Sequence, residues 1–289
     1  MEKQTRAYLC ASAAVLFWAT SASAFKISLR YIDVFSLLFY ASVTSTVAFF
    51  VYILVSKRLS LLKSLSGKDY LYSALLGFLN PFLYYAVLFK AYSILPAQEA
   101  QPLNFVWPIT LVLLSIPLLK QKIRTKDILA TFISFAGVFV ISTRGDIFGF
   151  RFTNIMGVCL ATGSSVVWAL FWIYNVRDKR DEVVRLLLNF AFGSILTFPL
   201  MLVLGGVHFP KLPGLLGAVY IGLFEMGITF LLWLKALKLS KTTANVTNLI
   251  YMVPFFSLVL ISFTVGEAII PSTLVGLIFI VGGIILQRL

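Results

Sequence analysis

The residues that decide the fold lie in two stretches, 104–137 and 250–283, which carry the same spacing of helix-shaping residues. They read NFVWPITLVLLSIPLLKQKIRTKDILATFISFAG and IYMVPFFSLVLISFTVGEAIIPSTLVGLIFIVGG. The pairs that are 146 positions apart are Pro108 with Pro254, Gln121 with Glu267, Ala130 with Gly276, and Gly137 with Gly283. Farther upstream, the pairs at an offset of 145 are Gly77 with Gly222, Lys90 with Lys235, and Ala91 with Ala236. Such self-similarity predicts a tandem repeat with halves 1–143 and 144–289.

The composition places both halves in lipid. Hydrophobic residues make up 60% of the chain, charged residues only 12%, and the mean hydropathy is +0.96. A helix needs about 20 apolar residues to cross the hydrocarbon core, and ten runs approach that length. They are approximately 7–28, 34–55, 70–92, 97–119, 127–143, 153–175, 183–205, 213–236, 243–264 and 269–287. Because these runs are long and lack strict alternation, the sequence predicts an all-α integral membrane protein with ten transmembrane helices.

The basic residues predict the orientation of these spans. With the amino terminus inside, 18 of the 24 lysines and arginines lie in the inner segments. Because cytoplasmic loops are enriched in basic residues, we expect a multi-pass inner (plasma) membrane protein with both termini cytoplasmic. The same distribution, next to anionic lipid headgroups, accounts for the net charge of +13, so no nucleic-acid partner is expected.

Five spans per half have a mechanical consequence. Because the number is odd, the second half must enter the bilayer from the opposite side, which gives a 5+5 inverted-topology repeat in one compact membrane domain. Lys90 is accordingly assigned outside and its counterpart Lys235 inside. Transporters built from inverted repeats bind their substrate near the midplane, where the repeats meet, and expose it to each side in turn. We therefore expect alternating access to a central site.

The chain resembles the drug/metabolite transporter superfamily, EamA type, over nearly its whole length. The most specific segment is AQEAQPLNFVWP, residues 97–108, which is similar to a fourth-span motif in the branch that includes the bacterial aromatic amino acid exporter. The matching residues are Glu99, Asn104, Phe105, Trp107 and Pro108. The resemblance implies export of amino acids or related metabolites, with aromatic amino acids as the first substrates to consider. It leaves open a multidrug carrier or a carrier of other metabolites, such as nucleotide-sugar-like solutes or osmolytes.

Polar residues at membrane depth are the first candidates for the central site, because burying them in lipid costs free energy. Glu225 lies mid-span, and its counterpart at an offset of 145 is Asn80. Glu99 lies early in the fourth span, and its counterpart at an offset of 146 is Asn245. Each acid is a candidate to carry a proton, and all four residues are candidates to bind a polar solute. The alternative is that they hydrogen-bond between helices and have a structural role only.

Prolines and aromatic residues supply the remaining candidates. Pro102, Pro108 and Pro254 each remove a helix hydrogen bond, so we expect the fourth and ninth helices to be kinked near the site. Planar or cationic solutes bind to aromatic walls by stacking and cation–π attraction. The substrate-binding candidates are Trp18, Asn80, Tyr84, Tyr85, Asn104, Trp107, Trp168, Asn245, Asn248 and Tyr251.

Other classes of protein fit the residues less well. Cys10, Cys159 and the single His208 lie far apart in the sequence, so neither a metal site nor a cofactor is expected. An intramembrane enzyme would need a nucleophile with a base, a metal cluster or an acid pair, and none of the spans carries one. A channel would need a continuous polar stripe along several helices. Small-residue spacings such as Gly222 with Gly227 suit helix packing within one chain and equally within a homodimer.

Overall fold

The computed structural model describes residues 2–95, 103–143, 145–149, 154–205, 210–265 and 271–288, and all regular secondary structure in these ranges is helical. The helices of the first half are α1 Lys3–Ser28, α2 Val34–Val55, α3 Ser60–Lys63, α4 Gly67–Gly77, a π-helical segment Phe78–Leu83, α5 Tyr84–Ile94, α6 Trp107–Leu119 and α7 Thr125–Ser142. Those of the second half are α8 Ile155–Arg177, α9 Glu182–Leu200 with a π-helical end Met201–Gly205, α10 Leu212–Tyr220, a π-helical segment Ile221–Gly227, α11 Ile228–Leu239, α12 Thr243–Thr247 with a 3₁₀ segment Asn248–Tyr251, α13 Met252–Val265 and α14 Pro271–Arg288.

Six helical segments of the described chain are long and apolar enough to cross a membrane. They are Lys3–Phe25, Val34–Val55, Gly67–Leu88, Ile155–Arg177, Glu182–Gly205 and Leu212–Leu239. These segments coincide with the first, second, third, sixth, seventh and eighth predicted spans. Two shorter apolar helices, Trp107–Leu119 and Pro271–Gln287, coincide with the fourth and tenth. The protein is therefore an all-helical, multi-pass membrane protein, while the count of ten spans stays a prediction.

Equivalent aspartates begin the second helix of each half. The carboxylate of Asp33 accepts hydrogen bonds from the backbone N–H groups of residues 35 and 36, both at 3.0 Å. Asp181, 148 positions later, accepts from residues 183 and 184 at 2.9 and 3.2 Å. An aspartate before a helix satisfies backbone donors that have no partner within the helix. The two halves therefore start α2 and α9 with the same local chemistry.

The packing of helices pairs elements of the first half with elements of the second. Helix α1 of the first half packs on α11 and α13 of the second half. Its counterpart α8 of the second half packs on α5 and α6 of the first half. The second helices of the halves, α2 and α9, contact each other, and so do the last helices, α7 and α14. The helices therefore interleave across the two halves, and the interior lies between them.

Glycines bring α7 and α14 into backbone contact. A Cβ atom on Gly137 would collide with the carbonyl oxygen of Gly276, and one on Gly283 would lie 2.6 Å from the carbonyl oxygen of Ala130. Between these contacts the Ser134 hydroxyl donates to the carbonyl oxygen of Ile280 at 3.2 Å. Small residues allow this approach, which favours helix association where lipid supplies no hydrophobic driving force. These residues belong to the repeated stretches from which the fold was predicted.

Enlarging Gly283 should separate these two helices. We expect Gly283→Leu to lower the melting temperature of the detergent-solubilised protein, because overpacking a close contact costs about 1–3 kcal/mol. Gly282→Leu is the matched control, since a Cβ atom there meets nothing within 4 Å. The control should melt at or above the wild-type temperature, because leucine favours a helix more than glycine does. Equal melting temperatures for the two variants would contradict the proposed contact.

Candidate functional site

Two irregular helical segments place Asn80 and Glu225 at the centre of their helices. Residues 78–83 interrupt the helix that runs from α4 to α5, and residues 221–227 interrupt the one that runs from α10 to α11. In the first, Asn80 has extended backbone angles, φ −153° and ψ 125°, and the following Pro81 has no N–H to donate. Irregular backbone at membrane depth is tolerated where protein surrounds it or where it lines a cavity. Both side chains are buried.

The Glu225 carboxyl group accepts hydrogen bonds from two other helices. The hydroxyl of Ser21 on α1 donates to Oε2 at 2.5 Å, and the hydroxyl of Tyr85 on α5 donates to Oε1 at 3.1 Å. All three side chains are buried. None of the ion pairs in the described chain includes Glu225. The group is therefore a buried acid with hydroxyl partners and no cation, which allows it to exchange a proton or to accept a hydrogen bond from a cationic solute.

All five tryptophans of the chain gather in one buried cluster. The ring centroid of Trp18 lies 6.3 Å from that of Trp107, 6.2 Å from that of Trp168 and 5.5 Å from that of Trp233. The ring of Trp172 lies 5.7 Å from that of Trp168. These rings come from α1 and α6 of the first half and from α8 and α11 of the second. The tryptophan cluster, Trp18, Trp107, Trp168, Trp172 and Trp233, therefore lies between the halves.

Tyr84 joins the tryptophan cluster to Glu225. Its ring lies 4.4 Å from that of Trp168 and 4.9 Å from that of Tyr85, whose hydroxyl binds Glu225. The Tyr84 hydroxyl donates to Oδ1 of Asn104 at 3.1 Å. Six predicted residues, Trp18, Tyr84, Tyr85, Asn104, Trp107 and Trp168, therefore meet around one aromatic wall with the Glu225 carboxyl beside it.

Several buried polar atoms of this region have no hydrogen-bond partner in the described chain. They include the indole Nε1 atoms of Trp168, Trp172 and Trp233, and both amide atoms of Asn80. A buried donor without an acceptor is costly in a low-dielectric interior. The region thus retains hydrogen-bonding capacity for a polar group that the described residues do not supply.

The remaining predicted residues form no hydrogen bond or ring contact with this wall among the described residues, or they lie outside the described chain. Tyr251 is fully buried, but its ring faces Phe135, 6.3 Å away between centroids, and packs with residues of α7 and α14. Asn248 is fully buried, and its amide atoms have no partner in the described part. Asn245 is partly exposed. Glu99 and Pro102 fall in residues 96–102, outside the described residues.

The helices that carry the predicted kinks depart from a regular α-helix. Pro108 is the second residue of α6, which follows a turn at residues 105 and 106. Pro254 is the third residue of α13, directly after the 3₁₀ segment Asn248–Tyr251. The most irregular backbone lies elsewhere, however, in segments 78–83 and 221–227, where the only proline is Pro81.

Three residues of this region were not among the sequence candidates. Ser21 lies one helical turn after Trp18, so the periodicity of α1 could have indicated it. Trp172 lies one turn after Trp168 and could have been found in the same way. Trp233 has Leu88 as its counterpart at an offset of 145, so the repeat gave no signal for it. Its position in the cluster is a consequence of how α11 packs on α1.

The chemistry that these residues support is binding. No group of three or more histidine, cysteine, aspartate or glutamate side chains that could hold a metal ion occurs in the described residues. The carboxyl and the aromatic rings together suit a solute that has a planar apolar part and a cationic or hydrogen-bonding part.

Comparison with known proteins finds several transporters similar to this chain. An uncharacterized transporter of Archaeoglobus fulgidus is 24% identical over 286 residues, which cover 98% of this chain and 97% of that protein. One of Clostridium kluyveri is 27% identical over 234 residues, which cover 77% and 73%. The aromatic amino acid exporter YddG of Ancylobacter novellus is 26% identical over 158 residues, about half of each chain at 53%.

A solved crystal structure shares the fold, with a TM-score of 0.84 and 22% identity over 98% of each chain. The EamA-like transporter family matches twice, at residues 5–143 and at residues 155–288. Together these matches cover nearly the whole sequence, and each falls on one of the two predicted halves. The chain belongs to the EamA-like transporter family and is a membrane transporter.

Proposed function

We propose that this transporter carries small amphipathic organic solutes, with aromatic amino acids as the first class, and that it exports them by alternating access. The observation that carries the proposal is the Glu225 carboxyl, bound by Ser21 and Tyr85, next to a wall of tryptophans drawn from both halves. The carboxyl would receive the amino group of the solute or exchange a proton with it. The indole and phenol rings would stack against its planar part. We propose no chemical step and no cofactor.

The proposed architecture is ten spans in a 5+5 inverted repeat, with both termini cytoplasmic and the site at the meeting of the halves. Three observations support it: the paired contacts of α1 and α8, the matching caps Asp33 and Asp181, and the two family matches. Rocking of one half against the other would expose the tryptophan cluster to each side in turn. We place the protein in the inner (plasma) membrane.

The substrate class has support of a different kind. YddG, with which this chain shares 26% identity over about half its length, is named for the export of aromatic amino acids. The chemistry of the aromatic wall suits the same solutes. A cationic drug or another planar metabolite would also fit a tryptophan wall beside an acid, which keeps a multidrug or general metabolite carrier as the second candidate.

Opposite orientation of the halves can be tested with single cysteines. Lys63 is an exposed residue between α2 and α4 of the first half. Lys211 is an exposed residue directly before α10 of the second half. After replacement of Cys10 and Cys159 by alanine, we expect Lys63→Cys to react with an impermeant maleimide only from the cytoplasmic side. Lys211→Cys should react only from the opposite side. Reaction of both from the same face would contradict the inverted arrangement.

The role of Glu225 can be tested by counterflow of labelled phenylalanine in proteoliposomes. We expect Glu225→Gln to abolish the response of uptake to an imposed pH gradient, because the amide carries no exchangeable acid proton. Uptake should also fall about tenfold or more, since a hydrogen bond to a charged group is worth about 1.5–3 kcal/mol. Tryptophan, threonine and a cationic drug serve as competitors that distinguish the two candidate substrate classes.

Asp146→Asn is the matched control for this substitution. Asp146 is exposed in the loop after α7, where its carboxylate caps the N–H of Gly149 at 2.8 Å. Its variant should transport like the wild type. If Glu225→Gln keeps the full rate and the full pH response, Glu225 has only a structural role. If none of the tested solutes drives counterflow, the proposed substrate class is wrong.

A further inference from the structure

Arg185 is a fully buried arginine whose guanidinium group is only partly bound. It lies one turn into α9, and its side chain has no exposed surface. Its Nη1 donates to the carbonyl oxygen of Asn175 at 2.7 Å and to that of Asp178. These bonds satisfy carbonyl groups at the carboxyl end of α8. Its Nε and Nη2 meet no acceptor in the described residues.

The unbound edge of Arg185 is the edge that other arginines of this protein use to hold a carboxylate. Arg124 donates through Nε and Nη2 to the two oxygens of Asp127 at 3.1 and 3.0 Å. Arg180 donates through Nε to Oδ1 of Asp178 at 3.1 Å and through Nη2 to Oδ2 at 2.6 Å. This planar pair of donors matches the two oxygens of a carboxylate. Arg185 presents the same pair of donors inside the protein.

The acids near Arg185 are each engaged with another cation. The pairs are Asp178 with Arg180 at 2.6 Å, Asp181 with Arg58 at 3.3 Å, and Glu182 with Lys238 at 3.6 Å. Arg185 itself is in none of the ion pairs of the described chain. A buried charge without a partner is strongly unfavourable. An anion that completes the guanidinium group would therefore bind favourably at this position.

The equivalent position of the first half carries a leucine, not an arginine. The caps Asp33 and Asp181 relate α2 to α9 by 148 residues, and the same offset relates Leu37 to Arg185. Leu37 is a buried apolar residue in the equivalent turn of α2. The second half thus replaces a simple packing residue with a buried cation, which indicates a role specific to one side of the protein.

Arg185 lies on the predicted cytoplasmic side of the tryptophan cluster. Its acceptor Asn175 is one turn beyond Trp172 on α8. The ion pair between Lys238 of α11 and Glu182 of α9 shows that these two residues lie at the same depth. Lys238 is 13 residues after Glu225 in the sequence, which corresponds to about 20 Å along the helix. Arg185 is one turn closer. Arg185 and Glu225 therefore lie at different depths along the helices, so they would bind a solute at successive positions.

We propose that the Nε–Nη2 edge of Arg185 binds the carboxylate group of the transported solute before it reaches the tryptophan cluster. The inference rests on the proposed function, and it adds a carboxylate position on the cytoplasmic side. Arg185 would select solutes by their carboxylate group, whereas the tryptophan cluster would select them by their ring. A carboxylate recruited here would supply the bidentate partner that Arg124 and Arg180 find within the chain.

Binding can be measured without transport, by the rise in melting temperature of the purified full-length protein with added ligand. The probes are phenylalanine, phenylacetate, which lacks the amine, phenethylamine, which lacks the carboxylate, and inorganic phosphate. We expect phenylacetate and phenylalanine to stabilise the wild type. In Arg185→Lys the concentration of phenylacetate needed for half of the effect should rise about tenfold. Lysine can still donate to the carbonyl oxygens of Asn175 and Asp178, but it lacks the planar pair of donors.

Arg124→Lys is the matched control, because the same edge of Arg124 is already bound by Asp127. Its response to phenylacetate should equal that of the wild type. The rise in melting temperature caused by phenethylamine should be the same in Arg185→Lys as in the wild type. An equal phenylacetate response in the wild type and in Arg185→Lys overturns the inference, and so does stabilisation of the wild type by phosphate but not by phenylacetate.

A second variant covers the case in which Arg185→Lys does not fold. Asn189 lies one turn after Arg185 on the same face of α9, so Asn189→Asp supplies a carboxylate within the chain. We expect this variant to lose the phenylacetate response, while its melting temperature also reflects the loss of the hydrogen bond from Asn189 Nδ2 to Asn175 Oδ1. A retained response would overturn the inference. Counterflow could fail although the wild type binds phenylacetate through Arg185. In that case the proposed function would be wrong, and the carboxylate position would remain supported.

Discussion

The hydrogen bonds of the buried Glu225 carboxyl constrain the centre of this protein. A carboxylate at the middle of a bilayer costs about 2.5–3.5 kcal/mol on insertion scales, so the group must find its partners within the protein. It finds them on two other helices, in the hydroxyls of Ser21 and Tyr85. Because those partners come from α1 and α5, the carboxyl ties the first half to the second at the level where the helices become irregular.

Backbone contact between helices supplies the second constraint. Lipid is as apolar as the side chains it surrounds, so helices associate by close packing and by hydrogen bonds. Glycines permit this packing at equivalent places in the two halves: a Cβ atom on Gly77 would collide with the carbonyl oxygen of Asn189, and one on Gly222 would lie 2.5 Å from that of Ala41. Both contacts join the third predicted span of one half to the second predicted span of the other. The halves are thus held by matching contacts around a shared interior.

Much of the candidate site could be predicted from the sequence because its residues occupy equivalent positions in a repeat. Asn80 and Glu225 are polar residues at the same position of two otherwise apolar helices, and lipid makes such residues conspicuous. Tyr84 and Tyr85 follow Asn80 by one turn. Trp107 and Asn104 belong to the stretch that resembles a fourth-span motif. In each case a local pattern carried the information.

The rest depends on contacts between residues far apart in the chain. Ser21 is an ordinary serine until α1 packs against the helix of Glu225, 204 residues away. Trp172 and Trp233 become part of one cluster only when α8 and α11 meet α1 and α6. Tyr251 was a candidate as an aromatic residue of the ninth predicted span, and the structure packs it against Phe135 of α7. Arg185 was counted among the basic residues that set orientation, and only its burial separates it from them.

The sequence by itself determined the all-helical membrane class, predicted two related halves and revealed the polar residues at membrane depth. Those features follow from local composition and from the spacing of residues along the chain, and neither depends on how the helices pack. Only the tertiary structure decided which hydroxyls bind Glu225, which rings share a wall, and which arginine keeps an unbound edge. Each of those depends on the angle and the rotation at which helices pack, and these are set by side chains from both halves acting together.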